Sequence, residues 1–475
     1  MHIFLFHRDL RLHDNTSLIY QIKKYNNITP IFIFTPEQIN PKKNKYFSNN
    51  SVQFMIESLI ELRQDIQNNG GELYFFKGDN IDVLKSIHKI IPIQSIAFNM
   101  DYTPYARQRD KMILDWSNDN NIDCIIKEDY VLYDILDNKA IKNDNTPYLV
   151  FTPFKNHCYN NLTVREPDNF KKFIFKKHKE LSDNKYIISK SDIEDFYTDN
   201  PDINVHGGRT NGLKILSKLD NFNNYQKERD TLMFETTYLG AHNHFSTISI
   251  REEYYKMINK LGKKSGLINE LHWREFYLHI TYHFPHILDS MIGKGKNKEF
   301  KSKYSKIKWS KNMKLFEKWC SGQTGCCIVD AAMNQLNKIG FQHNRCRMIT
   351  SNYLVKLLHI HWTLGEMYFA TKLVDYDPCV NNNSWQWSFG SGVDAQPYFR
   401  IFNPYLQAEK FDKDCEYIKK WIPELANVPA KDIHNWYKPE VHNKYLNEGI
   451  KYYKPIIDYN IERDKCLEIF KKGLL

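Results

Sequence analysis

Glu270, Trp273, Arg274 and Tyr277 fall at i, i+3, i+4 and i+7 in the segment ELHWREFY. That spacing places them on one helix face, so an acid, an indole, a guanidinium and a phenol project together. Such a face can stack on a planar group and hydrogen-bond its edge, although Trp273 alone would read as core. A second concentration lies between Thr324 and Pro404, in TGCCIVDAAMNQLNKIGFQHNRCRMI, HWTLGEMYFATKLVDYDPCVNNNSWQW and DAQPYFRIFNP. It supplies Asn344, Arg345 and Met348 at the start of a helix, Asp375, Asp377 and Asn381 around a Pro-broken turn, and Trp385 and Trp387 two apart. Taken singly these have plain readings: Met348 as core packing, Asn381–Asn383 as an Asn-rich turn.

These groups need two kinds of scaffold. Up to about residue 130, short β-rich runs (Ile3–Phe6, Ile31–Phe34, Leu73–Phe76, Ile93–Phe98, Cys124–Ile126) alternate with amphipathic stretches such as Val52–Gln67 and Ala106–Ser117. Strands separated by helices predict a doubly wound parallel sheet of Rossmann-like form over residues 1–134. Residues 135–210 are rich in Asn, Asp and Pro and read as a long connector. From residue 211 to 475 the period is helical, with Glu270–Tyr282, Val329–Ile339, Arg345–Phe369 and Asp412–Trp421 as examples. An α/β domain, a linker and an all-helical domain are expected.

With 475 residues, more than one core is expected. The net charge of +10 fits an anionic partner or a solubilising surface. The nine cysteines are scattered, with no recurrent CxxC, so free thiols and no metal site are expected. No signal peptide and no run near ~20 apolar residues is present, which predicts a soluble, intracellular protein without a membrane span.

Several motifs in order resemble those of the DNA photolyase and cryptochrome family. FHRDLRLHDN (Phe6–Asn15) is similar to its N-terminal signature, FTPFKN (Phe151–Asn156) to its linker motif, and ELHWREFY with the Thr324–Pro404 block to its helical FAD-binding domain. The likeness is greatest to class I cyclobutane pyrimidine dimer photolyases, which implies light-driven splitting of dimers by electron transfer from reduced, anionic FAD. Thr236, Thr237, Leu239 and Gly240 stand at the family's phosphate-binding turn; TTYLGAHNHFSTIS is poorer in hydroxyls than the usual pattern, so Gly240 would bind through its N–H. Tyr225 is implied near the flavin, and Asp375 and Asp377 at its ring edge and ribityl region, with Arg347 paired to Asp375. Asn381 is implied beside N5, where an amide without a transferable proton favours the reduced form.

The resemblance also implies a lesion pocket. A dimer must flip out of the duplex, at roughly a few kcal/mol, and stacking returns about 1–3 kcal/mol per base. Trp273 and Trp387 would sandwich it, Asn344, Arg345 and Met348 would contact it, and Glu270 would hydrogen-bond a thymine carbonyl. The family's (6-4) enzymes carry a histidine pair here; the single His343 favours dimers and a structural role for itself. Trp385, Trp362 and Trp309 match the family's electron relay, with Trp309 expected exposed in the Lys-rich segment 294–314. That segment with Arg229, Arg274, Arg345, Lys155 and Arg400 would form a basic rim for ultraviolet-damaged DNA, expected as duplex, bound by a monomer. Tyr105 and Ala106 replace the Asn-Glu pair of folate-binding relatives, so the antenna chromophore is left open. A blue-light photosensor of cryptochrome type is the rival; Asn381, the lesion pocket and the short tail count against it, while the two wall tryptophans count against a single-strand-specific relative.

Overall fold

A computed structural model describes residues 1–474. Five parallel strands form the expected sheet: β1 (His2–Phe6), β2 (Ile28–Phe34), β3 (Tyr74–Lys77), β4 (Ser95–Asn99) and β5 (Asp123–Lys127). The order is β5-β4-β1-β2-β3-β6, the last being a two-residue strand, β6 (Ile187–Ile188), antiparallel to β3. β2 is buried along its whole length, as central strands covered on both faces must be, and its near-continuous apolar composition follows from that.

The segment read as connector is thus partly built into the sheet. Besides β6, it contains the Phe151–Asn161 helix, whose Phe154 packs tilted against Phe276 and edge-on against His279 of the helical domain. The continuous helix expected over Arg345–Phe369 is broken. A helix spans Asn344–Asn352, a wider π turn spans Tyr353–Leu357, and a new helix starts at Trp362. His359 between them has φ +54°, a left-handed conformation that no continuing helix allows. The helix expected at Asp412–Trp421 begins only at Glu416, since Asp412 turns to accept from the Tyr417 and Ile418 N–H groups.

Chain order reverses between β1 and β4, and in doubly wound sheets ligands favour the crevice at the strand ends there. Here polar side chains fill it and dock the helical domain. Arg11 Nη2 donates to Asp129 Oδ2 at 2.6 Å, while Arg251 donates to Asp14 Oδ2 (2.7 Å) and Asp129 Oδ1 (2.8 Å). All four side chains are buried. Among the described residues no helix is long and apolar enough to cross a membrane.

Candidate flavin and DNA-lesion site

One cavity of about 530 Å³ opens in the helical domain, within the range of cofactor sites, about 300–1,000 Å³. The face predicted on the Gly266–His283 helix lines it intact, with Glu270, Trp273, Arg274 and Tyr277 together. Ser265 caps that helix by accepting from the Leu267 N–H. Trp273 lies flat on Phe151, ring centroids 3.7 Å apart and 7° from parallel. Its other face therefore remains available to a planar ligand. Asn344, Arg345 and Met348 line the wall across from it, with Trp387 from the Pro378–Phe389 helix. His343, read as structural, is the N-cap of the Asn344 helix and accepts from the Arg345 N–H; burial lowers its pKa to about 4.

The deeper part of the cavity is charged and tightly held. Arg347 donates to Asp375 Oδ2 at 2.9 Å. Asp377 takes Arg8 Nη1 at 3.1 Å and His244 Nδ1 at 3.4 Å. Burial alone would raise the pKa of Asp377, but the His244 hydrogen bond and the Arg8 charge hold it well below the usual carboxylate range. Its other oxygen accepts from the Cys379 and Val380 N–H groups, which fixes the start of the helix bearing Asn381. Asn381 Nδ2 donates to the Glu366 backbone oxygen (3.2 Å) and to Glu366 Oε1 (3.0 Å). Its amide thus keeps Oδ1 as the atom left for the cavity. Glu366 is buried without a cation, and burial pushes it up to about 8 despite the hydrogen bond from Asn381.

Tyr225, Thr236, Thr237, Leu239 and Gly240 line the remaining edge. Tyr238 has φ +55°, a turn of the chain just before the short Gly240–His244 helix. A Cβ on Gly240 would meet Asp375 Oδ2 at 2.9 Å, so a side chain here would press on the Asp375 carboxylate. Buried Asn243 Oδ1 and Glu253 Oε2 also line the cavity and lack partners in the protein. A close approach at Gly240, orphaned polar atoms and an amide oxygen fit a dinucleotide with a heteroaromatic ring.

Not every expected residue is brought here. Trp385 lines the cavity, but Trp362 and Trp309 lie behind it. Trp362 is fully buried and donates Nε1 to Glu299 Oε1 at 3.1 Å. Trp309, expected exposed, is half-buried against Phe389 (5.1 Å) and His361 (5.2 Å), because its Lys-rich segment folds back on the core. His361 stacks on Trp362 at 6.2 Å. Arg274, expected on the rim, turns inward and donates to the Tyr130 carbonyl at 2.8 Å. Lys155 and Arg400 lie outside the cavity; Lys155 donates to Asn269 at 3.2 Å, and Arg400 is exposed. Sequence reasoning missed Arg8, His244, Glu253 and Glu366 as site residues. Arg8 was within reach, since it lies inside the quoted FHRDLRLHDN signature.

The fold and cavity define a two-domain protein, a doubly wound sheet joined to a helical domain that holds a dinucleotide-sized site. Residues 2–171 match the family description "DNA photolyase", and residues 267–472 match "FAD binding domain of DNA photolyase". A deoxyribodipyrimidine photo-lyase of Buchnera aphidicola subsp. Baizongia pistaciae is 35% identical, over 99% of this chain and 98% of its own. The Escherichia coli K12 protein of the same name is 31% identical over 99% and 98%. Among solved structures, an archaeal photolyase from Sulfolobus tokodaii with two FAD molecules superposes with a TM-score of 0.85 at 34% identity, covering 99% of both chains. A class III photolyase from Agrobacterium tumefaciens gives 0.88 at 27%, covering 99% of this chain and 97% of its own. The chain belongs to the DNA photolyase family.

Proposed function

We propose that the protein splits cyclobutane pyrimidine dimers in ultraviolet-damaged duplex DNA, acting as a monomer with FAD. The observation that carries this reading is the joining of two sets in one cavity: the Glu270–Tyr277 face with Asn344, Met348 and Trp387 at the mouth, and Asp375, Asp377 and Asn381 deeper. When bound, reduced FAD would supply the light-driven one-electron chemistry that opens the dimer ring. The chain's own groups do the rest. Trp273, backed by Phe151, and Trp387 hold the flipped dimer between them. Glu270 meets the carbonyl edge and stabilises charge placed there. Asn381, whose Nδ2 is committed to Glu366, would offer Oδ1 as an acceptor to the flavin edge and so favour the reduced form. Arg347 orients Asp375, and Arg8 with His244 orients Asp377.

Residues 1–134 serve as the light-collecting-type domain, 135–210 as linker and 211–475 as the catalytic domain in this reading. Trp385, Trp362 and Trp309 would carry the electrons that return a bound flavin to its reduced state. Tyr105 hydrogen-bonds Thr35 and Ala106 is buried, which leaves a folate antenna without the usual Asn-Glu pair. The test is illumination of the purified protein with oligonucleotides carrying either a cyclobutane dimer or a (6-4) lesion. Restoration of the dimer substrate alone is expected; restoration of the (6-4) substrate alone, or of neither, refutes the assignment.

A further inference from the structure

At the cavity mouth, the groups assigned to DNA are occupied by one another. Arg229 Nη1 is in close contact with Glu270 Oε1, and Arg345 Nη2 donates to Asp230 Oδ1 at 2.8 Å. Arg229 and Asp230 are neighbours just past the Tyr225–Glu228 turn of helix. The result is a row across one edge of the opening: Glu270, Arg229, Asp230, Arg345. Around Glu270 the other facing groups are the phenols of Tyr225 and Tyr277 and the amide of Asn269 on its own helix. Lys155 stands one step further off, engaged with Asn269.

A thymine carbonyl accepts hydrogen bonds and donates none. An ionised carboxylate is also an acceptor only, so Glu270 as held by Arg229 can meet the neighbouring ring N–H but has nothing to offer that oxygen. We infer that docking of damaged DNA is coupled to uptake of one proton at Glu270: a backbone phosphate draws Arg229 off, and the carboxylate left in the closed cavity is protonated from water and presents O–H to the lesion. Three effects act in one direction. Loss of the Arg229 charge, exclusion of water by the flipped bases, and the negative charge of DNA all favour the neutral acid. Burial already raises the Glu270 pKa in the free protein, against the opposing pull of Arg229. Arg229 is in this view a positioning residue that keeps Glu270 ionised until phosphate arrives.

The inference rests on the reading of Glu270 as the contact to the lesion carbonyl. The bound-state pKa lies above the free-state pKa, so affinity is highest at low pH and falls as pH rises through the interval between them, by up to about tenfold per pH unit for one proton. Titration calorimetry of the full-length FAD-loaded protein with a dimer-bearing duplex, in buffers of different ionisation heat, measures the uptake. Wild-type protein should take up a fraction of a proton approaching one within that interval. Glu270→Gln, which can donate through its amide, should bind with a flat pH profile and no uptake. Arg229→Met should also lose the uptake, because its Glu270 is already neutral, while binding all DNA more weakly. Equal uptake in wild type and Glu270→Gln overturns the coupling. Normal repair by Glu270→Ala would instead remove the underlying reading, so the two failures are distinct.

Discussion

Glu366 makes Asn381 more than an amide at the right place. Both Nδ2 hydrogens are committed to Glu366 oxygens, so the neighbour decides which atom the flavin edge would meet. The same buried acid carries a measurable signature. Its pKa is raised from 4.5 to about 8, so the folded protein binds a proton that the unfolded chain has released over that interval. Stability contributed at this site is therefore full below about 4.5 and is lost as pH rises toward 8. Glu366→Gln should gain stability relative to wild type as pH rises through this window, by at most about 1.4 kcal/mol per unit. Chemical denaturation at several pH values checks this; parallel wild-type and variant curves contradict it. At the same scale, Glu270→Ala should slow dimer repair while the protein keeps its FAD, read as product formed per absorbed light with the flavin spectrum unchanged.

Among the elements, the helix restarting at Trp362 has two tasks. Its first residue is a proposed relay member, and its Gly365 lies under Trp385, where a Cβ would come within 2.2 Å of the indole Cη2. Helices disfavour glycine by about 1 kcal/mol, yet any side chain here would push Trp385 into the cavity. Gly365→Ala should lower stability by about 1–3 kcal/mol through overpacking and weaken FAD retention. Thermal melting with and without added FAD tests it, and an unchanged midpoint would argue against the contact. Trp309→Phe should slow photoreduction of the bound flavin while repair by chemically reduced protein persists. The path between Trp309 and Trp362 passes His361, which stacks on one and tilts against the other.

At the level of the whole molecule, the crest of the sheet has become a docking surface. Asp129 is held by Arg11 and Arg251 from two domains, and these charges overcome the effect of burial to keep its pKa well below the usual range. Breaking a buried pair by removing one partner costs about 3–5 kcal/mol. Arg251→Met should therefore destabilise the protein by that order, measured by denaturant titration, and should loosen FAD because Arg8 reaches Asp377 from the same crest. A stability within about 0.5 kcal/mol of wild type would show that the network does not join the domains.

Much was legible in the chain because it depends on local periodicity. The five parallel strands, the face of Glu270, Trp273, Arg274 and Tyr277, and the grouping around Asp375–Asn381 follow from alternation, helical spacing and a proline. What spacing could not report is where a side chain spends its hydrogen bonds. Arg274 and Arg229 look alike in sequence, but one is turned into the domain boundary and the other holds Glu270, since their partners lie 144 and 41 residues away. β6, too short to show a pattern, exists because the edge of β3 offered it pairing. The break at Tyr353–His361 interrupts an apolar rhythm that is continuous in sequence, because this stretch is buried on nearly all sides and its rhythm no longer marks one face. Residue types and their spacing settle which groups are available for flavin and lesion; which of them are free depends on the folded packing, since pairing of distant charges in a dry interior is not set by position along the chain.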